Sequence, residues 1–202
     1  VQYKKGSFTP NVLELQMGAH HASLVGASPI LWNSTSFDSD SLMLKGTLGT
    51  IRLTGGLGEL ATNPLRLSLS NINANWLSYW YREPQMQFDG RLDAILRIDS
   101  YLPNLQGSGS LQWSNVQLNR ELLGNFNSTL QWSTAANDIF LNGTLLQPEA
   151  TKARLSGHYN PSIDDLDMVV VVDQLDIHPF EPLLGGVLTQ ISGILNGSAR
   201  VL

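Results

Sequence analysis

Asp-Gly-Arg-Leu-Asp-Ala-Ile-Leu-Arg-Ile, at residues 89–98, is the stretch of sequence that decides the fold. Successive side chains of a β-strand point to opposite faces, so the alternation here separates an apolar face from a charged one. Ile95 is the one apolar residue on the polar face. The pattern predicts a strand that is covered on one side and wetted on the other. The apolar face comprises Leu92, Ala94, Leu96 and Ile98.

A similar stretch returns near the C-terminus, with each matched position 103 residues further on. Gly90 matches Gly193, and Arg97 matches Arg200. The same offset relates the apolar residues of an upstream stretch, 65–72, to those of 168–175. An offset shared by two separate stretches predicts an internal repeat.

Two shorter matches support the repeat with slightly different offsets. Arg-Leu-Thr-Gly at 52–55 resembles Arg-Leu-Ser-Gly at 154–157, and Lys-Gly-Thr-Leu at 45–48 resembles Asn-Gly-Thr-Leu at 142–145. Loop insertions between fixed strands would produce such drift. The sequence therefore predicts two strand-rich repeat units, 1–104 and 105–202, the second one truncated, in one continuous sheet.

The remaining strands are predicted from short alternating runs separated by polar or glycine turns. Parallel neighbours would need crossovers of a dozen or more residues, so we expect an antiparallel meander. A switch of apolar parity after Trp113 predicts a bulge. Two short helical insertions are expected, at 75–82 with Asn75 as N-cap and at 178–184 with proline near its start.

Composition excludes several classes of function. The 202 residues are 42% hydrophobic and 14% charged, with a net charge of −5 spread without runs, which argues against nucleic acid and against a polybasic membrane patch. The absence of cysteine excludes disulfides and thiolate zinc sites. An initiator Met and a signal peptide are missing, and the last residues read as the middle of a strand, so we expect a piece of a longer protein.

Catalytic and metal-binding patterns are weak. The histidines, at 20, 21, 158 and 178, lack the spacing of a metal site. Asp164, Asp165 and Asp167 lack the spacing and the distal glutamate of a calcium loop, so a solvated turn is the better interpretation. We expect no enzymatic activity, no metal and no cofactor.

The repeated motif resembles a known family. Gly-x-Leu-x-Ala/Gly-x-x-Arg-Ile/Val, followed by Ser-Tyr-Leu-Pro-Asn-Leu-Gln-Gly-Ser-Gly-Ser-Leu at 100–111, is similar to the repeats of TamB and the wider AsmA-like group of Gram-negative envelopes. The resemblance implies an all-β, elongated, curled antiparallel β-meander with a taco-like groove. It also implies a periplasmic protein, anchored in the inner membrane by parts outside this chain, that moves phospholipid to the outer membrane or assembles outer-membrane proteins with a barrel partner.

An apolar groove is also expected from the residues themselves. A single meander of amphipathic strands leaves one apolar face lining a trough, which can hold acyl chains without hydrogen bonds. The alternative is that the same positions form an ordinary closed core. The residues expected to line the groove are Leu65, Leu67, Leu69, Leu92, Ala94, Leu96, Ile98, Met168, Val170, Val172, Leu195, Ala199 and Val201.

Two other functions remain open at this point. The tryptophans could form a carbohydrate-binding platform, although such residues usually serve as core. An open sheet edge, or the strand at 169–172, could instead hold unfolded outer-membrane strands by β-augmentation. Alternation is lost in that strand, which predicts either cover on both faces or an exposed apolar edge.

Overall fold

The computed structural model describes residues 5–79, 87–100, 106–133, 137–147, 150–181 and 192–202. Strand accounts for 75% of the structure and helix for 5%, so the predicted all-β class is confirmed. The strands form one open, curled antiparallel sheet of 14 strands. Because domains usually bury a sheet against a second layer, a single sheet leaves the covering of its apolar face to be explained.

In chain order the strands are β1 (Gly6–Phe8), β2 (Glu14–Met17), β3 (His20–Ala27), β4 (Ile30–Trp32), β5 (Phe37–Gly46), β6 (Gly49–Leu57), β7 (Leu65–Asn73), β8 (Phe88–Ser100), β9 (Gln106–Leu118), β10 (Glu121–Ser133), β11 (Asp138–Gln147), β12 (Ala150–Asn160), β13 (Asp165–Asp176) and β14 (Ile194–Val201). Two 3₁₀ helices, Ala74–Tyr79 and His178–Phe180, follow β7 and β13.

The meander is regular from β5 onward, where each strand pairs with the next one along the chain up to β14. Upstream of β5 the order differs from a simple meander. β3 pairs with residues 42–45 of β5 and β4 with residues 37–39, so both lie end to end along one edge of β5. β2 then adds to β3, and β1 to β4.

Cross-strand register divides the sheet into an apolar inner face and a polar outer face. Two adjacent rows of paired residues run across the inner face, and at about 4.8 Å per strand the first is about 50 Å long. The first floor row comprises Leu24, Leu44, Ile51, Leu69, Ala94, Leu111, Ser128, Gly143, Leu155, Val170 and Ala199. The second floor row comprises Leu42, Leu53, Leu67, Leu96, Gly109, Leu130, Leu141, Gly157, Met168 and Val201.

β-Bulges lie beside these rows in several strand pairs. Register shifts occur between Leu69 and Ile72 in β7, around Gly124 in β10 and between Val172 and Leu175 in β13. The shifts around Gly124 confirm the bulge that the parity switch after Trp113 predicts. A bulge bends its strand and increases local twist, so bulges close to one line across the sheet curl it.

The two strand pairs β7–β8 and β13–β14 have the same register at an offset of 103 residues. Leu65 lies opposite Ile98, and 103 residues on Met168 lies opposite Val201. The bulges also correspond, and so do their hydrogen bonds. The backbone N–H of Asn71, at φ 54°, donates to the Asp93 carboxylate at 2.8 Å. The equivalent N–H of Gln174, at φ 49°, donates to the Asn196 side chain at 2.7 Å.

One of the shorter sequence matches is not structurally equivalent. Residues 45–48 run from the end of β5 into the turn before β6, whereas residues 142–145 lie inside β11. By register Leu145 corresponds to Leu44, because they face Ala153 and Ile51, the equivalent residues of β12 and β6. The match at 45–48 is therefore wrong as a repeat alignment. The boundary at 104/105 stays a prediction, since residues 101–105 lie outside the described residues.

The 3₁₀ helices occupy the places where the sequence predicts helical insertions. Asn73 caps the first helix, since its side chain accepts the N–H of Asn75 at 3.0 Å. The N-cap of the second helix, Ile177, has no side-chain capping bond; the Asp176 side chain before it accepts the N–H of His178 at 3.0 Å. The cap of the first helix is therefore provided by Asn73, not by Asn75 as predicted. Residues 80–82 and 182–184 of the predicted helices lie outside the described residues.

The buried core forms two small clusters. Ala22, Leu44, Leu48, Ile72 and Leu92 make the first, against which Trp76 of the first 3₁₀ helix packs. The second is built on the β9–β10 hairpin and also receives Phe180 of the second 3₁₀ helix. Each helix therefore covers part of the inner face. The second cluster comprises Val116, Leu118 and Leu123.

Candidate functional site

The residues predicted to line a groove share the inner face. On β7 and β8, Leu67 lies opposite Leu96 and Leu69 opposite Ala94, with Leu65 opposite Ile98 at one end. These side chains are half-buried, whereas Leu92, beyond the bulge, is buried. Half-burial along a continuous apolar row is typical of an open trough, because a closed core would bury such leucines fully.

On β13 and β14 the same face is more open. Met168, Val170 and Val172 are half-buried, and their partners on β14 are exposed. Leu195 is 45% exposed and Val201 51% exposed. Within the described residues β14 pairs with β13 alone, so this end of the trough lacks a neighbour on one side. Ala199 lies between them, opposite Val170.

The arginines of the repeat lie on the outer face. Arg66 and Arg97 face each other across β7 and β8, and both are exposed, as is Arg200. Arg200 donates two hydrogen bonds to the Asp167 carboxylate, at 2.7 and 2.6 Å. These hydrogen bonds lower the pKa of Asp167 and raise that of Arg200. The pair joins the end strand β14 to β13.

The larger of two apolar concavities in the described residues lies between the bulged sheet and the two 3₁₀ helices. Its volume is about 820 Å³, and nearly all of its lining residues are apolar. Arg154 contributes to the lining, but by register it belongs to the outer row of Thr144 and Val171. Trp76, Leu77 and Phe180 of the two helices form the opposite wall. The two 3₁₀ helices therefore partly cover the cavity, and each follows the equivalent strand of its repeat unit, β7 or β13.

A second apolar hollow, of about 300 Å³, continues along the floor rows. It shares Leu69, Ala94 and Leu111 with the larger cavity. The two concavities thus form one trough, with its deeper part under the 3₁₀ helices. Apolar surface of this kind gains about 25 cal/mol per Å² when it is removed from water.

Seven of the predicted lining residues lie beside the concavities rather than in their walls. Leu69, Leu92, Ala94 and Val170 line the larger cavity, and Leu67 and Leu96 line the smaller hollow with Leu69 and Ala94. The other predicted residues share the inner face but line neither concavity. They are Leu65, Ile98, Met168, Val172, Leu195, Ala199 and Val201.

Sequence reasoning missed the part of the wall built by β9 and β10. Trp113, Val116 and Phe126 line the larger cavity, and Leu111 lines both concavities. The bulge at Asn115, at φ 51°, reverses parity between Trp113 and Val116, so one alternating pattern does not connect them. These wall residues could have been predicted by applying the alternating pattern separately to the residues before and after the parity switch.

The described tryptophans do not form one exposed platform. Trp76 and Trp113 line the larger cavity, and the indole N–H of Trp113 donates to the Asp89 carbonyl at 3.1 Å. Trp32 is 40% exposed on β4, far along the sheet. The Trp132 side chain lies over Gly107 in the row beyond the second floor row. These positions do not favour a carbohydrate platform.

Metal-ligating side chains do not cluster among the described residues. No group of three or more histidine, aspartate or glutamate side chains is placed to bind a metal there. Asp164 accepts a hydrogen bond from the Tyr159 hydroxyl at 3.0 Å, which raises the pKa of Tyr159. In the same described part of the chain, no helix has the length and apolarity needed to cross a bilayer.

The strand at 169–172 is neither covered on both faces nor an edge. β13 pairs with β12 on one side and β14 on the other, so it has no free backbone groups for another strand. Val171 is 42% exposed on the outer face. Alternation is therefore lost because this strand also carries valine residues on the solvent-exposed outer face.

Comparison of this chain with models of known families, with curated proteins and with solved structures yields no match. The fold and the trough geometry are therefore the basis for inferring function.

Proposed function

We propose that this chain is a periplasmic part of a TamB/AsmA-like envelope protein whose trough carries phospholipid acyl chains between the inner and outer membranes. The observation that carries the proposal is the apolar cavity of about 820 Å³ in a single-layered, curled sheet. Acyl chains neither donate nor accept hydrogen bonds, and the walls of the cavity contain almost no polar side chains that need a hydrogen-bond partner. Leucine, valine and phenylalanine side chains bind methylenes through area alone, at about 0.8 kcal/mol per buried CH₂.

The distribution of exposure also supports a conduit. Large apolar patches on monomeric proteins mark binding sites or grooves, and the trough is flanked by half-buried leucines on β7 and β8. The two floor rows cross the sheet from β5 to β14 with little interruption by polar side chains. A chain could slide along such a surface because every position presents similar chemistry.

Photo-crosslinking from adjacent positions of β8 tests the proposal. A photoreactive residue at position 96 faces the smaller hollow, and one at position 97 faces the outer side of the sheet. With phospholipid present, we expect lipid adducts at 96 and none at 97. Equal labelling at both positions, or labelling at neither, would refute a lipid conduit on the inner face.

A second candidate function is β-augmentation by an outer-membrane protein strand. The observation that favours it is the end strand β14, whose residues are all exposed and which pairs only with β13 in the described part of the chain. An extended peptide can add to such an edge through backbone hydrogen bonds. Addition of a peptide with the sequence of an outer-membrane protein strand should then slow amide hydrogen exchange in β14. Unchanged exchange there would exclude this mode.

A further inference from the structure

Ser128 is the only side chain with a hydroxyl group in the two floor rows. It lies on β10 between Leu111 of β9 and Gly143 of β11. Its side chain is half-buried in the smaller hollow, together with Leu130 and Leu141. Alternation from Phe126 through Leu130 places its Cβ on the inner face.

The Ser128 hydroxyl makes no hydrogen bond with the described residues. Where the trough is open to solvent, water can satisfy this hydroxyl group. When an apolar chain covers the hollow, that water is displaced, and an unsatisfied buried hydroxyl costs free energy. A ligand that places a hydrogen-bond acceptor at this point avoids that cost, so a single serine in an apolar floor distinguishes between ligands.

Its position relative to the larger cavity indicates which ligands these are. Leu111 lies directly opposite Ser128 and lines both concavities. Phe126, two residues along β10, lies in the wall of the larger cavity. An acceptor at Ser128 can therefore be joined directly to an apolar chain that extends into that cavity, as the carbonyl of an acyl ester is.

We propose that Ser128 is the polar anchor of the trough and donates a hydrogen bond to the ester carbonyl of an acyl chain whose tail occupies the larger cavity. This inference rests on the proposed lipid-carrying function. It adds a selectivity: acyl esters bind in preference to alkyl ethers with the same head and the same chain length.

Two matched single-chain lipids test the anchor. Monopalmitoylglycerol has an ester carbonyl, and hexadecylglycerol has an ether at the same place. Binding of each to the chain is measured by displacement of a fluorescent fatty acid below the micellar concentration. We expect the wild type to prefer the ester by about two- to tenfold, the range of one net hydrogen bond.

The variants separate the anchor from a structural role. Ser128→Ala should lose the preference, because the ether then no longer buries an unsatisfied hydroxyl and its affinity rises toward that of the ester. Ser128→Thr, which keeps the hydroxyl, should retain the preference. Ser108→Ala is the matched control, because Ser108 is exposed on the outer face opposite Arg97 and Gln131 and lines neither concavity. It should behave as wild type.

Two results would overturn the anchor in distinguishable ways. Binding of both lipids without preference, or a preference that survives in Ser128→Ala, would refute the anchor and leave the lipid trough intact. Binding of neither lipid would refute the trough, and the anchor with it.

Discussion

The same substitution at two inner-face leucines should have very different effects on stability. Leu44 and Leu96 both belong to the floor rows. Leu44 is 7% exposed and packs in the first core cluster, whereas Leu96 is half-buried and lines the smaller hollow. Leu44→Arg should unfold the chain, and Leu96→Arg should leave it folded.

The magnitudes follow from these environments. Leu44→Arg loses about 2 kcal/mol of side-chain burial and adds an unpaired buried charge that costs several kcal/mol more. Together these consume most of the roughly 5–15 kcal/mol that stabilises a typical domain. Leu96→Arg loses about 1 kcal/mol, because the leucine is only half-buried and the guanidinium can reach water along the open trough.

Urea unfolding followed by tryptophan fluorescence measures the difference. Ile95→Arg is the control for the effect of arginine on β8, because Ile95 is exposed on the outer face next to Leu96. We expect Leu96→Arg to resemble this control to within about 1 kcal/mol. If Leu96→Arg unfolds the chain as Leu44→Arg does, the inner face is a closed core and the trough does not exist.

Three further predictions test separate features. The depressed pKa of Asp167 means that its pairing with Arg200 stabilises the fold above the unfolded-state pKa and that this stabilisation is lost as pH falls through the folded-state pKa. The protection of β14 amides, measured as the exchange rate relative to an unfolded chain at the same pH, should therefore fall in acid, and Asp167→Asn should abolish that fall. Asn71→Ala should lower the free energy of unfolding by about 1–2 kcal/mol, because alanine is strained at positive φ. Asn71→Gly should be close to neutral in the same urea assay, because glycine adopts positive φ without strain. Gly143→Ala should cost about 1–3 kcal/mol and narrow the trough, since an added Cβ would lie 2.8 Å from the Phe126 ring; wild-type stability together with unchanged lipid binding would contradict this.

The sequence predicts the shared face because parity is a local property. In β8, Leu92 to Ile98 alternate without a bulge, so period two alone assigns their face. The 103-residue offset is equally visible, since Gly90 and Gly193 recur where both copies adopt positive φ. Such positions constrain residue type directly, which makes them readable without a structure.

Other features depend on partners that are distant in sequence. Two nearly identical tetrapeptides occupy different structures. Lys-Gly-Thr-Leu at 45–48 lies at the end of a strand, whereas Asn-Gly-Thr-Leu at 142–145 lies within one. The difference depends on where the next strand of the hairpin begins: β6 begins at Gly49, and β12 begins at Ala150. The order of β3 and β4 along β5 also depends on long-range pairing, because β4 is too short to cover the length of β5. Local patterns contain no information on either point.

The bulges explain how one sheet can contain both a core and a trough. Beyond the bulge line, Ile72 and Leu92 face the first 3₁₀ helix and are buried, whereas Leu67 and Leu96, on the other side of it, stay half-buried. The bend brings the 3₁₀ helices over one part of the inner face only, because each helix directly follows the bulged strand, β7 or β13. The remaining apolar surface has no protein layer above it in the described residues. Removing that surface from water is favourable in proportion to its area, and this is the free energy that an acyl chain in the trough would use.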